Sequence, residues 1–184
     1  MRNNASKSAL DRIDRAILMA LQNDARLSNK ELAARVGLAP SSCLERVRHL
    51  RHAGVLRGAH ADVTPEALGI ELQALVAVQL RQHAREHVES FRAHALARPE
   101  VVGVFHIAGE HDFLVHVAVP GTEALRNLAL DAFTSRPEVA RLQTWLIFEA
   151  ARAPALPDYL EPPLLENRTT TRRTRPRRGR SRTS

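Results

Sequence analysis

The chain has 184 residues, 44% apolar and 26% charged, with one cysteine. This predicts a soluble protein of two small domains or one medium one, with no internal disulfide and no cysteine-based zinc site. No apolar run approaches the roughly 18 residues of a membrane helix, and residues 1–8 are polar rather than signal-like, so a cytoplasmic protein is expected. The net charge of +7 is uneven: residues 168–184 hold eight arginines and no acid, and without them the rest of the chain stands at about −1.

In chain order, Leu10, Ile13, Ile17, Leu18 and Leu21 recur at helical spacing, and Ser8, three residues before Asp11, suggests the helix start. Residues 22–26 are polar and end this helix. Ser28 and Glu31 then form a capping box that opens a second helix with Leu32, Ala33 and Val36 inward. Gly37 stops it. After Leu38 and Ala39, Pro40 suits the first turn of a third helix, where a missing amide hydrogen costs nothing. Leu44, Val47 and Leu50 are its expected buried stripe, and Gly54 its end. Helix, tight glycine turn, helix is the helix-turn-helix pattern.

The exposed face of the third helix decides the functional reading. Ser41, Ser42, Glu45, Arg46, Arg48, His49 and Arg51 surround the stripe. Hydroxyls and free amides at its start suit phosphate oxygens. Arginines further along can fork onto guanine edges or clamp phosphate. The candidate DNA-binding residues are therefore Ser28, Asn29, Pro40, Ser41, Ser42, Glu45, Arg46, Arg48 and His49. Cys43, beside Leu44, reads as a small buried hydrophobe rather than a redox sensor.

Residues 55–63 alternate loosely and suggest one or two short strands, followed by a connector at 64–69. The period then becomes that of a strand, with Leu72, Ala74, Val76, Val78 and Leu80 on one face. Val88, Phe91 and Ala95 mark a helix ending before Pro99. Residues 101–108 are strand-like, and Gly109, Glu110 and His111 make a tight connection. Phe113, Val115, Val117 and Val119 share a strand face. Leu125, Leu128, Ala129, Ala132 and Phe133 face inward on a helix that Pro137 ends, and residues 139–148 form a last strand. The order β-α-β-β-α-β is the ferredoxin-like arrangement, so the fold class is α+β.

Both helices cover one face of the sheet. The other face, expected to carry Leu75, Ala77, Val102, Val104, Leu114, Trp145 and Ile147, is too apolar for water. A second copy of the domain is the economical cover, and a two-fold dimer also suits two DNA half-sites. The linker or the tail is the other possible cover.

Taken together, these motifs resemble the Lrp/AsnC family of bacterial and archaeal regulators, over about residues 10 to 150. The resemblance is carried by Leu10, Asp11, Arg12, Ile13 and Asp14, by residues 21–28, by Glu31, Leu32 and Ala33, and by Val36, Gly37 and Leu38. It continues through Cys43, Leu44, Glu45, Arg46, Val47 and Arg48, and through the glycine-x-x-aspartate turn at Gly109 and Asp112. It implies a winged-helix-like DNA-binding domain and a RAM or ACT-like sheet domain. It also implies dimers that assemble to tetramers or octamers, and amino-acid effectors bound between sheet domains. By position it places effector-binding residues at Gly109, Asp112, Thr122, Trp145, Leu146 and Ile147. A carboxylate at Asp112 can bind an ammonium group, or it can bond local amides as turn aspartates do. Ala39 departs from the Ser or Thr cap familiar before the proline, so the cap passes to Ser41 or Ser42 or is weak.

The resulting organisation is an arm at 1–9, a DNA-binding domain at 10–63, a linker at 64–71, an effector and oligomerisation domain at 72–151, and a disordered basic tail at 152–184. The tail, rich in Thr, Arg and Pro, either raises DNA affinity without reading sequence or serves only as a solubilising extension. The expected function is sequence-specific transcriptional regulation in response to an amino acid, without catalysis or cofactor. An architectural DNA-binding protein of low specificity is the alternative. A metal-dependent enzyme built on His106, His111 and His116 is disfavoured, because no metalloprotease helix, nucleophile elbow or phosphate loop accompanies them.

Overall fold

The computed structural model describes residues 10–153 and 155–160. Ser8 and the arginine-rich stretch lie outside the described residues. Three helices come first: α1 (Arg12–Asn23), α2 (Asn29–Val36) and α3 (Pro40–His52). Asp11, not Ser8, caps α1. Its carboxylate accepts the Asp14 amide at 2.8 Å while the Asp14 carboxylate accepts the Asp11 amide. A short acid with extended backbone satisfies two orphan amides at once, so the helix starts three residues later than a Ser8 cap implied.

The Ser28 and Glu31 capping box opens α2 as expected, and Gly37 closes it at φ +70. That left-handed backbone lets the Leu38 amide return to the Ala33 carbonyl at 2.9 Å and aims the chain into the next helix. The core of this domain is Ile17, Ala20, Leu32, Ala33, Cys43, Val47 and Leu50. The stripe of α3 therefore runs Cys43, Val47, Leu50. Leu44, expected inside, is exposed, because the i, i+4, i+7 row through Cys43 already fills the groove against α1 and α2. Burial pushes the Cys43 thiol up, which fits an inert core position.

Residues 55–63 form no strand. Gly58, Ala59 and Ala61 favour extended pairing only weakly. The connector contains a 3-10 turn at Pro65–Leu68.

The second domain is β1 (Leu72–Leu80), α4 (Arg85–Leu96), β2 (Val101–His106), β3 (Phe113–Val119), α5 (Thr122–Asn127) and β4 (Val139–Ile147). The sheet is antiparallel in the order β2-β3-β1-β4. Ala74, Val76, Val78, Phe113, Val115, Val117 and Val119 are fully buried on the helix-facing side. Phe91 of α4 packs there with its ring centroid 5.0 Å from Phe113 and 5.9 Å from Phe133. The second helix is not uniform. After Asn127 it widens into a π segment, Leu128–Thr134, where the Ser135 amide reaches the Leu130 carbonyl. Leu128, Ala132 and Phe133 stay buried, while Ala129 lies only partly so.

A bulge between Val101 and Gly103 changes the open face. Val101 pairs with Val117 and Val104 with Val115, so Val104 belongs to the core side. Gly103 and Phe105 take the open-face positions opposite His116 and Leu114. An extra residue in one strand reverses its parity, so counting by twos from Val102 put Val104 on the wrong side. The open face thus carries Leu75, Ala77, Phe105, Leu114, Trp145 and Ile147.

Candidate nucleic-acid interface and effector turn

The nine candidate DNA-contacting residues divide by role. Ser28 is spent on its cap: its hydroxyl donates to Glu31 Oε2 at 2.6 Å and its amide donates there at 2.8 Å. Those two bonds hold the Glu31 carboxyl below its ordinary value, the hydroxyl bond first. Asn29 Nδ2 donates to the Pro40 carbonyl at 2.8 Å and so ties the start of α2 to the first turn of α3. Arg46 turns back to α1, donating to Asp14 Oδ1 at 2.8 Å and to Asp11 Oδ2. The Asp14 amide and then the Arg46 guanidinium lower the Asp11 carboxyl. These residues set the angle between helices.

Ser41, Ser42, Glu45, Arg48 and His49 point outward, and Arg51 and His52 extend the row to the end of α3. Ala39 gives no side-chain cap, neither Ser41 nor Ser42 replaces it, and no acid lies in the first turn. The first amides of α3 thus meet solvent with the positive end of the helix dipole behind them, a geometry suited to phosphate. Sequence reading missed the tie from Arg46 to Asp11 and Asp14. Two acids at a helix start, with an arginine on a packed neighbour, were the available signal.

The six effector candidates are not drawn into one site within a single chain. Gly109 adopts φ +152, a conformation that favours glycine, and starts the turn. Asp112 closes it: its carboxylate accepts the Leu80 amide at 2.7 Å and faces His83 Nδ1 at 2.7 Å. Its own amide donates to the Val78 carbonyl and its carbonyl accepts from Ile107. Thr122 starts α5 beyond the other end of seven-residue β3, about 20 Å away. Trp145 and Ile147 pair with Leu75 and Gln73 on the open face, whereas Leu146 pairs with Ala74 on the opposite side.

The three histidines also separate. His106 stacks on Phe113 with centroids 4.9 Å apart, and His111 meets Trp145 edge-on at 5.9 Å. His116, buried on the open face, faces Gln73 Oε1 at 2.9 Å. Burial, and then the charge of Arg152, lower its pKa. Among the described residues no group of three or more His, Cys, Asp or Glu is arranged to hold a metal ion. His111, absent from the candidate set, is the one that joins the glycine-aspartate turn to Trp145.

With this geometry in view, comparison with known proteins is decisive. An AsnC-type helix-turn-helix domain matches residues 10–51, and an Lrp/AsnC ligand binding domain matches residues 73–154. The HTH-type transcriptional regulator AldR of Mycolicibacterium smegmatis is 48% identical over 143 residues, covering 78% of this chain and 84% of AldR. The chain belongs to the Lrp/AsnC family. The leucine-responsive regulatory protein of Salmonella typhimurium, another member, is 37% identical over 143 residues, 78% of this chain and 87% of that protein. Among solved structures, a transcriptional regulator from Neisseria meningitidis in complex with L-Met aligns with a TM-score of 0.71 and 34% identity, over 78% of this chain and 93% of that one. AsnC of E. coli aligns at 0.69 and 25% identity, over 79% and 97%. These family members are transcriptional regulators and not enzymes, and this chain is a regulator of the same build, a helix-turn-helix joined to a ligand-binding domain.

Proposed function

We propose that this chain is a sequence-specific DNA-binding regulator whose output responds to an amino acid or a related small metabolite. The observation that carries the DNA half is α3. Ser41, Ser42, Glu45, Arg48 and His49 face outward while Asn29 and Arg46 lock the helix to its neighbours. A rigidly held helix with open N-terminal amides and outward arginines suits the major groove. In this reading Arg48 and His49 reach base edges or phosphates, and Ser41 and Ser42 take the backbone phosphate at the helix start.

The ligand half rests on the ligand-binding domain match, on the L-Met complex of the Neisseria meningitidis regulator, and on the names of the leucine-responsive relatives. Gly109, Asp112 and Trp145 contribute to the site, with Asp112 offering a carboxylate to an ammonium group. Thr122 lies about 20 Å from that turn and Leu146 is on the opposite side of the sheet from Trp145, so in this reading they enter from a second copy, while Ile147 shares the open face with Trp145. The apolar open face supports a homodimer through the sheet, which would set two α3 helices against half-sites one turn apart. A ligand between copies shifts DNA affinity by its differential binding to two arrangements.

A gel shift of the full chain on its own upstream DNA, with excess random duplex present, tests this reading. A discrete complex whose mobility or midpoint changes on adding one amino acid, and not others, supports it. A complex that random duplex competes away equally points instead to an architectural protein.

A further inference from the structure

Between the first turns of α4 and the end of β2 lies a cleft of about 340 Å³, lined by His83, Arg85, Val88, Glu89, Arg92 and His106. At about 30 Å³ for each water it has room for a small ligand. Its walls come from three places in the fold: His83 from the loop after β1, the next four residues from α4, and His106 from the last position of β2. Arg85, Val88, Glu89 and Arg92 share one face of α4 because they recur three and four residues apart. Val88 packs against the sheet core, and the charged residues line the cleft around it.

Both rings are held by contacts outside the cleft. His83 Nδ1 meets Asp112 Oδ1 at 2.7 Å. His106 stacks on Phe113 with centroids 4.9 Å apart and 28° between the planes. An imidazolium at position 83 gives one donor to Asp112 and keeps the other. Arg85, Glu89 and Arg92 are different. Their spacing allows pairing along the helix, yet among the described residues none of the three makes an ion pair or a side-chain hydrogen bond. Two guanidiniums against one carboxylate leave the cleft positive before either ring is counted.

These groups select a ligand chemistry. Donors come from a loop, a helix and a strand end, more than the single planar fork that satisfies a carboxylate. A tetrahedral oxyanion can use them all. Glu89 narrows the choice, because an ionised carboxylate only accepts hydrogen bonds. Beside a fully ionised sulfate it faces a like charge with no proton between them. Inorganic phosphate keeps at least one proton near neutral pH, so its hydroxyl can donate to Glu89 while its other oxygens accept from the arginines.

We propose that this cleft is a binding site for inorganic phosphate, in which Arg85 and Arg92 donate to the phosphate oxygens, His83 and His106 border them, and Glu89 accepts from the phosphate hydroxyl. The site is separate from the α3 interface and from the proposed amino-acid site, and it stands if either of those readings fails. It meets the glycine-aspartate turn only through the bond between His83 and Asp112.

The test is NMR of the imidazole rings in the full chain, at constant pH and ionic strength, titrated with inorganic phosphate, sulfate and glycerol phosphate. Phosphate is expected to move the His83 and His106 resonances together with one saturating midpoint, and to leave His60 and His116 in place. Sulfate is expected to need about tenfold more. So is the ester, which has largely lost its proton at about pH 7.5. Arg85→Gln with Arg92→Gln should raise the phosphate midpoint by about tenfold or more. Both side chains are exposed, so this variant should melt with the parent chain. Glu89→Gln can donate as well as accept and should bring sulfate to within about twofold of phosphate. Shifts that never saturate, shifts of equal size at His60 and His116, or a midpoint that the double arginine variant leaves unchanged overturn the site. A parent chain that takes sulfate as tightly as phosphate overturns the role of Glu89 and with it the assignment to phosphate.

Discussion

Arg46 of α3 and Asp14 of α1, thirty-two positions apart, meet at 2.8 Å, and Asp11 closes on the same guanidinium nitrogen. The charge that looks most central on the recognition helix is thus used to orient it. Arg48, two positions on, faces outward. Arg46→Ala is expected to lower the melting temperature of the DNA-binding domain, whereas Arg48→Ala should leave it unchanged and raise Kd for the target duplex by about tenfold. Thermal unfolding and anisotropy on both variants separate the two roles. The Asp11 carboxyl is held below 3.8, so its contribution is present above that value and is lost as pH falls through its lower folded value.

Asp112 is expected to matter first as a structural acceptor. Asp112→Ala strands the Leu80 amide and should cost about 1–3 kcal/mol in chemical denaturation. Asp112→Asn keeps an acceptor for that amide and should retain most of the stability. If the carboxylate also binds an ammonium group, the Asn variant should lose amino-acid binding by calorimetry while remaining folded. Unaltered binding in Asp112→Asn removes Asp112 from the ligand site.

His116 should give the sheet domain a pH dependence near neutrality. Its pKa lies below 6.5 because burial, and then Arg152, disfavour the charged ring. The unfolded chain therefore binds more protons as pH falls through 6.5, and stability declines from there toward the folded value. Denaturation midpoints at about pH 7.5 and about pH 5.5 should differ, and His116→Gln should shrink the difference. The lowered carboxyls of Asp11, Glu31 and Glu138 act only at more acid pH. Gln at 116 keeps a polar partner for Gln73, so a lost fold is not the expected result.

The open sheet face is expected to hold two copies together. Leu75 of the inner strand β1 pairs with Trp145 of the edge strand β4, and Phe105 is exposed on the opposite edge strand β2. Leu75→Glu should convert a dimer to a monomer in sedimentation velocity, because a carboxylate at a closed apolar contact costs far more than one in water. A wild-type chain that sediments as a monomer at micromolar concentration, or a Leu75→Glu variant that stays dimeric, contradicts the assignment of this face.

Much of this architecture was legible in the sequence, because local chemistry and long-range packing agree there. The Ser28 and Glu31 box, the Gly37 stop and the alternating Phe113, Val115, Val117 and Val119 each have one physical outcome. What was hidden depends on geometry that pattern counting does not carry. The bulge at Val101 and Gly103 inserts one residue and exchanges Val104 for Phe105. The π segment shifts Ala129 toward the edge while Leu128, Ala132 and Phe133 keep their places. Leu44 lost its inward place because Cys43 lies closer to the middle of the groove. Arg46 reads as a DNA contact on its own helix and becomes an orienting residue only once α1 is packed beside it. Gly109 and Asp112 sit where the turn motif suggested, but Thr122 and Leu146 are separated from them by the length and the parity of the strands.

The central claim is that α3 reads sequence. It is tested most directly by the ratio of Kd for random duplex to Kd for the upstream duplex, at one fixed salt concentration, for the full chain and for Arg48→Ala. The account predicts a wild-type ratio on the order of a thousand or more, reduced by about tenfold in the variant. A wild-type ratio near one, or a ratio that Arg48→Ala leaves untouched, contradicts it.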